Sequence, residues 1–392
     1  MTMPSRSSHC AWRLVFGVFA GLALASCSRN PAPRVVAPIH VWSAPAAARY
    51  LDQRETTWER WPVAARDHGT FCVSCHTALP YALARPRLSQ TLGEADPPAP
   101  ELSLLADVRE RVVLAAAAQP YYSDRAYGAG KARQSLGTES VLNALILAEA
   151  DAGMGALRPD TLAAFAQMWS QQETTGTQRG AWPWLQFNNE PFEAHDSAYY
   201  GAALAAVAVG LAPANYREAP AIQPSIRSLR DYLSRAYSHE SLLNRLTALW
   251  ASARLPDILA LPQKLQTIRD GYAAQQSDGG WSLGPLIWSL EDWSPKSLLR
   301  SVRSRSGPLA NQSDGYATAL AVNALLAAGI PRTEPHLARA LAWLEQNQQP
   351  QGFWRSYSPN YRIDPNSHMG LFMSDAATSF AILALTNPKP QP

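Results

Sequence analysis

The sequence predicts an all-α fold in which two concentric rings of helices are built from about five helical hairpins. Five apolar stretches, each opened by a polar or acidic residue, support this prediction. They begin at Thr138, His195, His239, Ser313 and Ser374. Several run without a charge on any face, which indicates burial on both sides. Amphipathic segments such as "DTLAAFAQMW" and "EPHLARALAWL" precede four of them, and an amphipathic outer helix covering an apolar inner helix is what two rings require.

The chain begins with residues 1–26, which have the layout of a secretory signal: two arginines, an apolar run and small residues. The run is too short to span a bilayer as a stable helix. The next residue completes "LASC", which resembles the lipobox of bacterial lipoproteins and implies that Cys27 is lipidated. Ser28 implies, by the same resemblance, the outer membrane of a Gram-negative bacterium. We therefore expect a lipid-anchored periplasmic protein; a plain signal peptide is the alternative.

Residues 27–60 are rich in Pro and Ala, which predicts a semi-rigid, extended tether. Removal of residues 1–26 takes away Arg6 and Arg13, so that 34 basic residues become 32, against 31 acidic ones. A net charge near +1 gives no electrostatic reason to expect nucleic acid as a partner. Contact with a membrane is expected only through the lipid anchor.

Residues 61–100 form the next segment and contain "CVSCH". In this motif, Cys72 and Cys75 can form thioethers with the two vinyl groups of a haem, and His76 can present its imidazole to the iron. The motif resembles that of c-type cytochromes, whose haem is attached after export, so the export signal supplies a suitable compartment. We expect one covalent haem c in a small irregular attachment segment.

A metal site, a disulfide and chance remain the other interpretations of this motif. Zinc would lack a fourth ligand, and a disulfide across two residues would close too small a loop to stabilise much chain. A thioredoxin-type site needs a preceding strand and a following helix, whereas Pro80 and Pro86 predict that no helix follows. Haem is therefore the favoured interpretation.

The second axial ligand of a haem at this motif is not evident from the nearby sequence. No Met or His occurs from Thr77 to Gly153, so the ligand must come from elsewhere or the position stays open. The candidates that precede inner helices are His195, His368, Met369 and Met373. An open position favours small-molecule chemistry, and a filled one favours electron transfer.

Residues 101–390 contain the helical repeats, and one of the loops between them resembles the motif of a known family. The stretch "RALAWLEQNQQPQGFW" resembles the QW motif of squalene and oxidosqualene cyclases at every motif position, including Gln348, Gly352 and Trp354. A weaker copy, "QQSDGGW", ends at Trp281, and a third, "QRGAWPW", has its Gln displaced. The resemblance implies an α/α toroid in which the Gln and Trp residues tie outer helices together. It also implies an apolar, terpenoid-like ligand.

Class II cyclases of this family protonate an alkene through the middle Asp of a DxDD motif. The closest stretch is "EAHDSA", which makes Glu193, His195 and Asp196 the candidate catalytic residues. His195 stands in the place of the proton donor, and an imidazolium with an ordinary pKa of about 6.5 is too weak an acid for an isolated double bond. A structural interpretation is that Asp196, Asp314 and Asp375 are helix N-caps.

Three functions follow from these observations. The first is a haem-dependent oxidoreductase or electron carrier that acts on an apolar molecule and exchanges electrons with a periplasmic partner. The second is a divergent cyclase or isomerase in which the cysteine motif is peripheral. The third is a non-catalytic module that places a haem beside a redox partner. The sequence does not decide between an enzyme and a carrier.

Overall fold

The computed structural model describes residues 42–118, 128–287 and 312–387, all within one compact unit that begins at His40. The predicted signal, the predicted lipidation site at Cys27 and the first part of the predicted tether lie outside the described residues. No β-strand occurs in the described ranges, which contain isolated bridges such as Ala65–Phe71. The all-α prediction is confirmed.

Two sets of helices alternate along the described chain, numbered here in chain order. The outer helices are α1 (Ala44–Glu59), α3 (Ala99–Leu114), α5 (Pro159–Ser170), α8 (Gln223–Ala236), α10 (Leu261–Ala274) and α13 (Pro335–Gln346). The inner helices are α2 (Ala78–Leu92), α4 (Gly128–Ala150), α6 (Ser197–Leu211), α9 (Leu242–Ala251), α12 (Gly315–Ala327) and α14 (Phe372–Thr386). Short helices are α7 (Ala214–Arg217) and α11 (Leu283–Ile287), with 3₁₀ turns at Asp67–Gly69, Ala115–Ala118, Pro220–Ile222, Tyr237–His239 and Met369–Leu371.

The inner helices form a closed ring, in the order α2, α4, α6, α9, α12, α14 and back to α2, and each outer helix packs against this ring. Burial on both sides explains the apolar sequences: every residue of α6 from Ser197 to Val209 is buried. By contrast, α8 buries a single stripe that includes Ile226, Leu229 and Leu233. The stretch Met369–Thr386 is apolar enough to cross a membrane, but 61% of it is buried, as expected for a core helix of this ring. The architecture is an α/α toroid.

The first helical hairpin, α1 and α2, corrects the predicted domain boundaries. The tether predicted over residues 27–60 is helical from Ala44 onward, and α1 buries Tyr50, Leu51 and Trp58. Pro45 lies in the first turn, where the missing N–H costs nothing, and the Ser43 hydroxyl caps the helix. Pro45 and the alanines around it therefore belong to a helix start. The toroid has six hairpins among its described residues, and the five predicted from the repeats are the later ones.

The attachment segment is also less irregular than predicted, because α2 follows the cysteine motif directly. Pro80 lies in the first turn of α2, and Pro86 is inside the helix. An interior proline costs about 3 kcal/mol. The burial of α2 between α14 and α4 offsets that cost. A thioredoxin-type site needs a strand before the motif and a helix after it. The helix is present, but residues 60–77 form no strand, so this type of site is still excluded.

Three QW turns join the outer helices with the same set of contacts, which confirms their structural role. In each turn an indole N–H donates to a backbone carbonyl near the end of the preceding outer helix, at 2.6–2.7 Å. The pairs are Trp182–Met168, Trp281–Gly271 and Trp354–Leu344. In each turn a Gln side chain also donates to the carbonyl of a glycine with positive φ. These pairs are Gln172–Gly180, Gln275–Gly279 and Gln348–Gly352. In the turn that contains Trp182, the sequence has no Gln at the usual motif position. Gln172 makes the corresponding hydrogen bond there.

The same Gln side chains reach forward to the next outer helix. Each donates a second hydrogen bond to a backbone carbonyl at that helix's first turn or N-cap. The pairs are Gln172–Ser225, Gln275–His336 and Gln348–Ser43. The last pair joins the final hairpin to the first one, so the QW turns connect the two ends of the described chain as well as neighbouring repeats.

Candidate functional site

A cavity of about 1200 Å³ opens at the end of the ring where the inner helices begin. Its wall includes His76 before α2, Glu193 before α6, Asp314 before α12, and Met373 in the first turn of α14. Most small-molecule sites have volumes of roughly 300–1000 Å³. The cavity is therefore large enough for a sizeable ligand. The positive ends of the helix dipoles favour anionic groups at this end of the ring.

The cysteine motif forms part of this cavity wall. The turn is fixed by the backbone: Cys72 N–H donates to the Ala64 carbonyl at 2.8 Å, and the Trp58 indole donates to the Cys72 carbonyl at 2.7 Å. Cys72 is half-buried and lines the cavity, whereas Cys75 is 1% exposed and does not line it. Burial raises the pKa of both thiols. Both are therefore held as neutral thiols at neutral pH.

The imidazole of His76 is buried against aromatic rings and also reaches the cavity. It stacks on Phe372 with ring centroids 3.9 Å apart, and Trp58 meets it edge-on at 5.0 Å. Burial lowers the pKa of His76 to about 3, with Arg54 and His368 adding to the effect. The ring is therefore neutral at neutral pH, which is the state that binds a metal.

A chain of hydrogen bonds determines which ring nitrogen of His76 is free. Its Nδ1 lies 2.9 Å from Thr77 Oγ1, and that hydroxyl donates to Asp375 Oδ2 at 2.9 Å. A hydroxyl has one proton, so a Thr77 that donates to Asp375 accepts from His76 Nδ1–H. The lone pair is then on Nε2, the atom that this arrangement leaves available for a metal.

Asp375 is the centre of this polar group, which corrects its predicted role as an N-cap. It lies inside the first turn of α14, where Leu371 holds the N-cap position. Its carboxylate accepts hydrogen bonds from Arg54, Tyr50 and Thr77. Burial raises the pKa of Asp375, while these three partners oppose that rise. The carboxylate connects the first hairpin to the last.

The two other predicted caps behave differently from each other. Asp314 is confirmed as an N-cap, because it accepts the N–H groups of Tyr316 and Ala317 at 3.0 Å. It also accepts from Leu283 N–H and the Ser356 hydroxyl. Asp196 holds the N-cap position of α6 but makes no side-chain capping bond. Asp314 lines the cavity as a saturated hydrogen-bond acceptor.

The predicted axial ligands are divided between the cavity and the outside. Met369 and Met373 both line the cavity, with 50% and 5% exposure respectively. His368 packs on the same Phe372 ring as His76 and contacts Arg54, but it does not line the cavity. The His195 side chain is 64% exposed and does not line the cavity. The structure thus brings the two methionines, and not the two histidines, to the cavity.

Of the predicted catalytic residues, Glu193 alone lines the described cavity. Burial raises its pKa to about 6, while a hydrogen bond from Asn189 and the charges of Lys131 and Arg66 oppose the shift. Asp196 and His195 lie beside Glu190, with ligand atoms all within 4.8 Å of one another. Glu193 is therefore a carboxyl group placed to exchange a proton with a molecule in the cavity.

Sequence reasoning missed the residues that support His76. Arg54 and Tyr50 lie in the segment assigned to a tether, and their partner Asp375 is more than 300 residues away. Thr77 directly follows the motif, so a hydroxyl able to bind the His76 ring was visible in the sequence. Trp58 and Phe372, which enclose that ring, carried no signal of this role.

Comparisons with known proteins identify no family. No protein-family model matches the chain, and no curated protein sequence matches it. Among solved structures, the type II terpene cyclase MstE from Scytonema in its apo form is similar, with a TM-score of 0.39 and 12% identity over 88% of this chain and 99% of that chain. A likeness at that level decides nothing about function, and the toroid is assigned from its helix packing.

Proposed function

We propose that the protein is a lipid-anchored, periplasmic, monohaem c-type protein that carries out redox chemistry or electron transfer on an apolar, terpenoid-like molecule. One observation carries the proposal: Cys72 and His76 of a CxxCH motif line one large cavity together with Met369 and Met373. The cavity offers space, a thiol, a neutral imidazole and thioether sulfurs in one place.

The residues fit a covalently attached haem in their chemistry. Cys72 and Cys75 would form the thioethers, with the Cys75 side chain turning toward the cavity, and His76 Nε2 would hold the iron. Arg66 and Arg362 line the same cavity and are suited to bind propionate groups. A bound haem would supply one-electron redox chemistry.

The remaining wall supports an apolar ligand. Leu185, Phe187, Phe192 and Ile363 line the cavity. Glu193 is the carboxyl group beside them that can take up or release a proton near neutral pH. A mostly apolar wall with few polar groups is typical of small-molecule sites. The positions of these residues favour an apolar substrate that reacts or transfers electrons inside the toroid.

The test is expression of the full chain with its signal in a host that attaches c-type haem. We expect a covalent haem with a c-type optical spectrum, lost in the double variant Cys72→Ser/Cys75→Ser. Cys10→Ser is the matched control, because Cys10 lies in the predicted signal and is removed with it. A wild-type protein without covalent haem, or a double variant that keeps it, contradicts the proposal.

Localisation has its own test. We expect Cys27→Ser to move the protein from the membrane fraction to the soluble periplasmic fraction, while Cys10→Ser leaves it in the membrane fraction. An unchanged membrane association of Cys27→Ser would show that lipid on this residue is not the anchor.

A divergent cyclase or isomerase is the second candidate, and the position of Glu193 in the cavity favours it. Burial also raises the pKa of Asp314 to about 6, but its carboxylate oxygens already accept four hydrogen bonds, which makes it the less suitable acid of the two. A carboxyl with a pKa of about 6 is a weak acid for an isolated double bond. Incubation with squalene distinguishes the candidates: cyclic products that disappear in Glu193→Gln would establish the cyclase, and intact squalene would argue against it.

A further inference from the structure

His76 is held from behind by two buried side chains, and both are far from solvent. Thr77 is 2% exposed and Asp375 is 1% exposed. The two hydrogen bonds that connect them to the ring are each 2.9 Å long. Such a pair is suited to fix the orientation of the ring and the position of its proton.

The carboxylate at the end of this chain is itself held in place. Arg54 donates to both of its oxygens, at 2.7 and 2.9 Å, and the Tyr50 hydroxyl donates to one of them at 2.8 Å. These donors come from α1, whereas Asp375 belongs to α14 and Thr77 precedes α2. The carboxylate of Asp375 is therefore held in one position, as the ion-pair partner of Arg54 and as the acceptor at the end of the chain from His76.

A negative charge behind Thr77 acts on the imidazole through the hydroxyl. It favours the proton on Nδ1, which leaves the lone pair on Nε2. Partners of this kind raise the basicity of a metal-bound imidazole and are among the groups that set the reduction potential of a haem. A more basic axial ligand stabilises the oxidised iron and lowers the potential.

We propose, on the basis of the haem site proposed above, that Thr77 and Asp375 are positioning residues that fix the Nε2-binding form of His76 and lower the reduction potential of the haem. Neither residue lines the cavity. The signal for this role is the contact of Thr77, which directly follows the motif, with a carboxylate 298 residues later in the chain.

The test compares variants of the haem-loaded full-length protein. Thr77→Val keeps the shape of the side chain and removes the hydroxyl, and Asp375→Asn removes the charge. We expect both to raise the reduction potential and to move the NMR signal of the His76 Nδ1–H proton upfield in the reduced protein. Thr77→Ser retains the hydroxyl and is expected to keep the wild-type values, and Thr91→Val, at an exposed position of α2, is the neutral control.

Asp375→Asn removes a buried ion-pair partner of Arg54 and is the variant at risk of not folding, so the decision rests on Thr77→Val. A haem-loaded Thr77→Val protein with an unchanged potential and an unchanged Nδ1–H signal overturns this proposal and leaves the proposed haem site intact. A wild-type protein that acquires no haem overturns both.

Discussion

The side-chain amide of Gln348 binds both backbone groups of Ser43, although 305 residues separate them in the chain. Its Oε1 accepts from Ser43 N–H at 2.6 Å, and its Nε2 donates to the Ser43 carbonyl at 3.1 Å. Because Ser43 is the N-cap of α1, these bonds join the last QW turn to the first outer helix. The toroid is therefore closed by the same residue type that joins its neighbouring repeats.

The substitution Gln348→Ala should destabilise the protein by about 1–3 kcal/mol. It removes the two bonds to Ser43 and a third to the Gly352 carbonyl, and it leaves partly buried backbone groups unpaired. The measurement is chemical unfolding followed by circular dichroism. Gln351→Ala, at an exposed position of the same turn, is the matched control and should unfold like the wild type. Equal stabilities of the two variants would contradict the role assigned to Gln348.

Gly352→Ala should destabilise the protein by at least about 2 kcal/mol more than Gly329→Ala. Both glycines have positive φ, of 100° and 84°, so both substitutions carry the same kind of backbone strain. They differ in space, because a Cβ at Gly352 would overlap the backbone of Ala46 in α1, whereas nothing lies near Gly329. Similar unfolding midpoints for the two variants would show that α1 does not pack on this turn.

The buried carboxyl of Asp107 should make stability depend on pH. Burial raises its pKa to about 7, and the Oδ2 atom has no hydrogen-bond partner among the described residues. Since the unfolded pKa is about 3.9, the native state binds the extra proton between these values. The contribution to stability is therefore complete below about pH 4 and is lost as the pH rises through 7.

Asp107→Asn should accordingly be more stable relative to the wild type at pH 8 than at pH 5, by about 1–3 kcal/mol. The amide oxygen can still accept the Phe71 N–H bond, which is 2.8 Å long in the wild type. Asp96→Asn, at an exposed position, is the control and should show no such change. A stability difference that is independent of pH would contradict the assignment.

Met373 is the more buried of the two methionines that line the cavity, and we expect Met373→Ala to remove the second ligand of the proposed haem. Met373 lines the cavity and is 5% exposed in the first turn of α14, whereas Met154 is 59% exposed on the surface. We expect the reduced Met373→Ala protein to bind carbon monoxide at least about tenfold more tightly than the wild type, because no internal ligand competes. Met154→Ala should match the wild type, and a Met373→Ala protein that does so as well would exclude Met373 as the ligand.

The inner helices were predictable because they are buried on both sides, and their sequences are therefore long apolar stretches without a charged face. Ser197–Leu211 and Gly315–Ala327 show it most clearly, and the QW residues Gln348 and Trp354 indicated the turns between repeats. The first hairpin was not predictable in the same way. Its outer helix α1 mixes Pro, Ala and charged residues, and its inner helix α2 contains Pro86, so both lack the repeat pattern.

The residues of the candidate site also form two groups: those that a local sequence pattern indicates and those that only the fold brings together. The position of Cys72 and His76 beside each other was predictable because their spacing is local, and Met373 was a candidate because it lies at the start of an apolar stretch. The hydrogen bonds from Arg54 to Asp375 span 321 residues and depend on ring closure, which no local pattern reveals. His195 occupies the register of a catalytic residue in its stretch but is exposed, because the side chain of a helix-end residue can turn away from the ring.

The most direct test of the proposed haem site is the intact mass of the exported protein. We expect a mature chain that begins at Cys27 and carries the mass of one haem in the wild type, and that lacks this mass in Cys72→Ser/Cys75→Ser. A wild-type mass that corresponds to the polypeptide and its lipid alone would show that no covalent haem is attached.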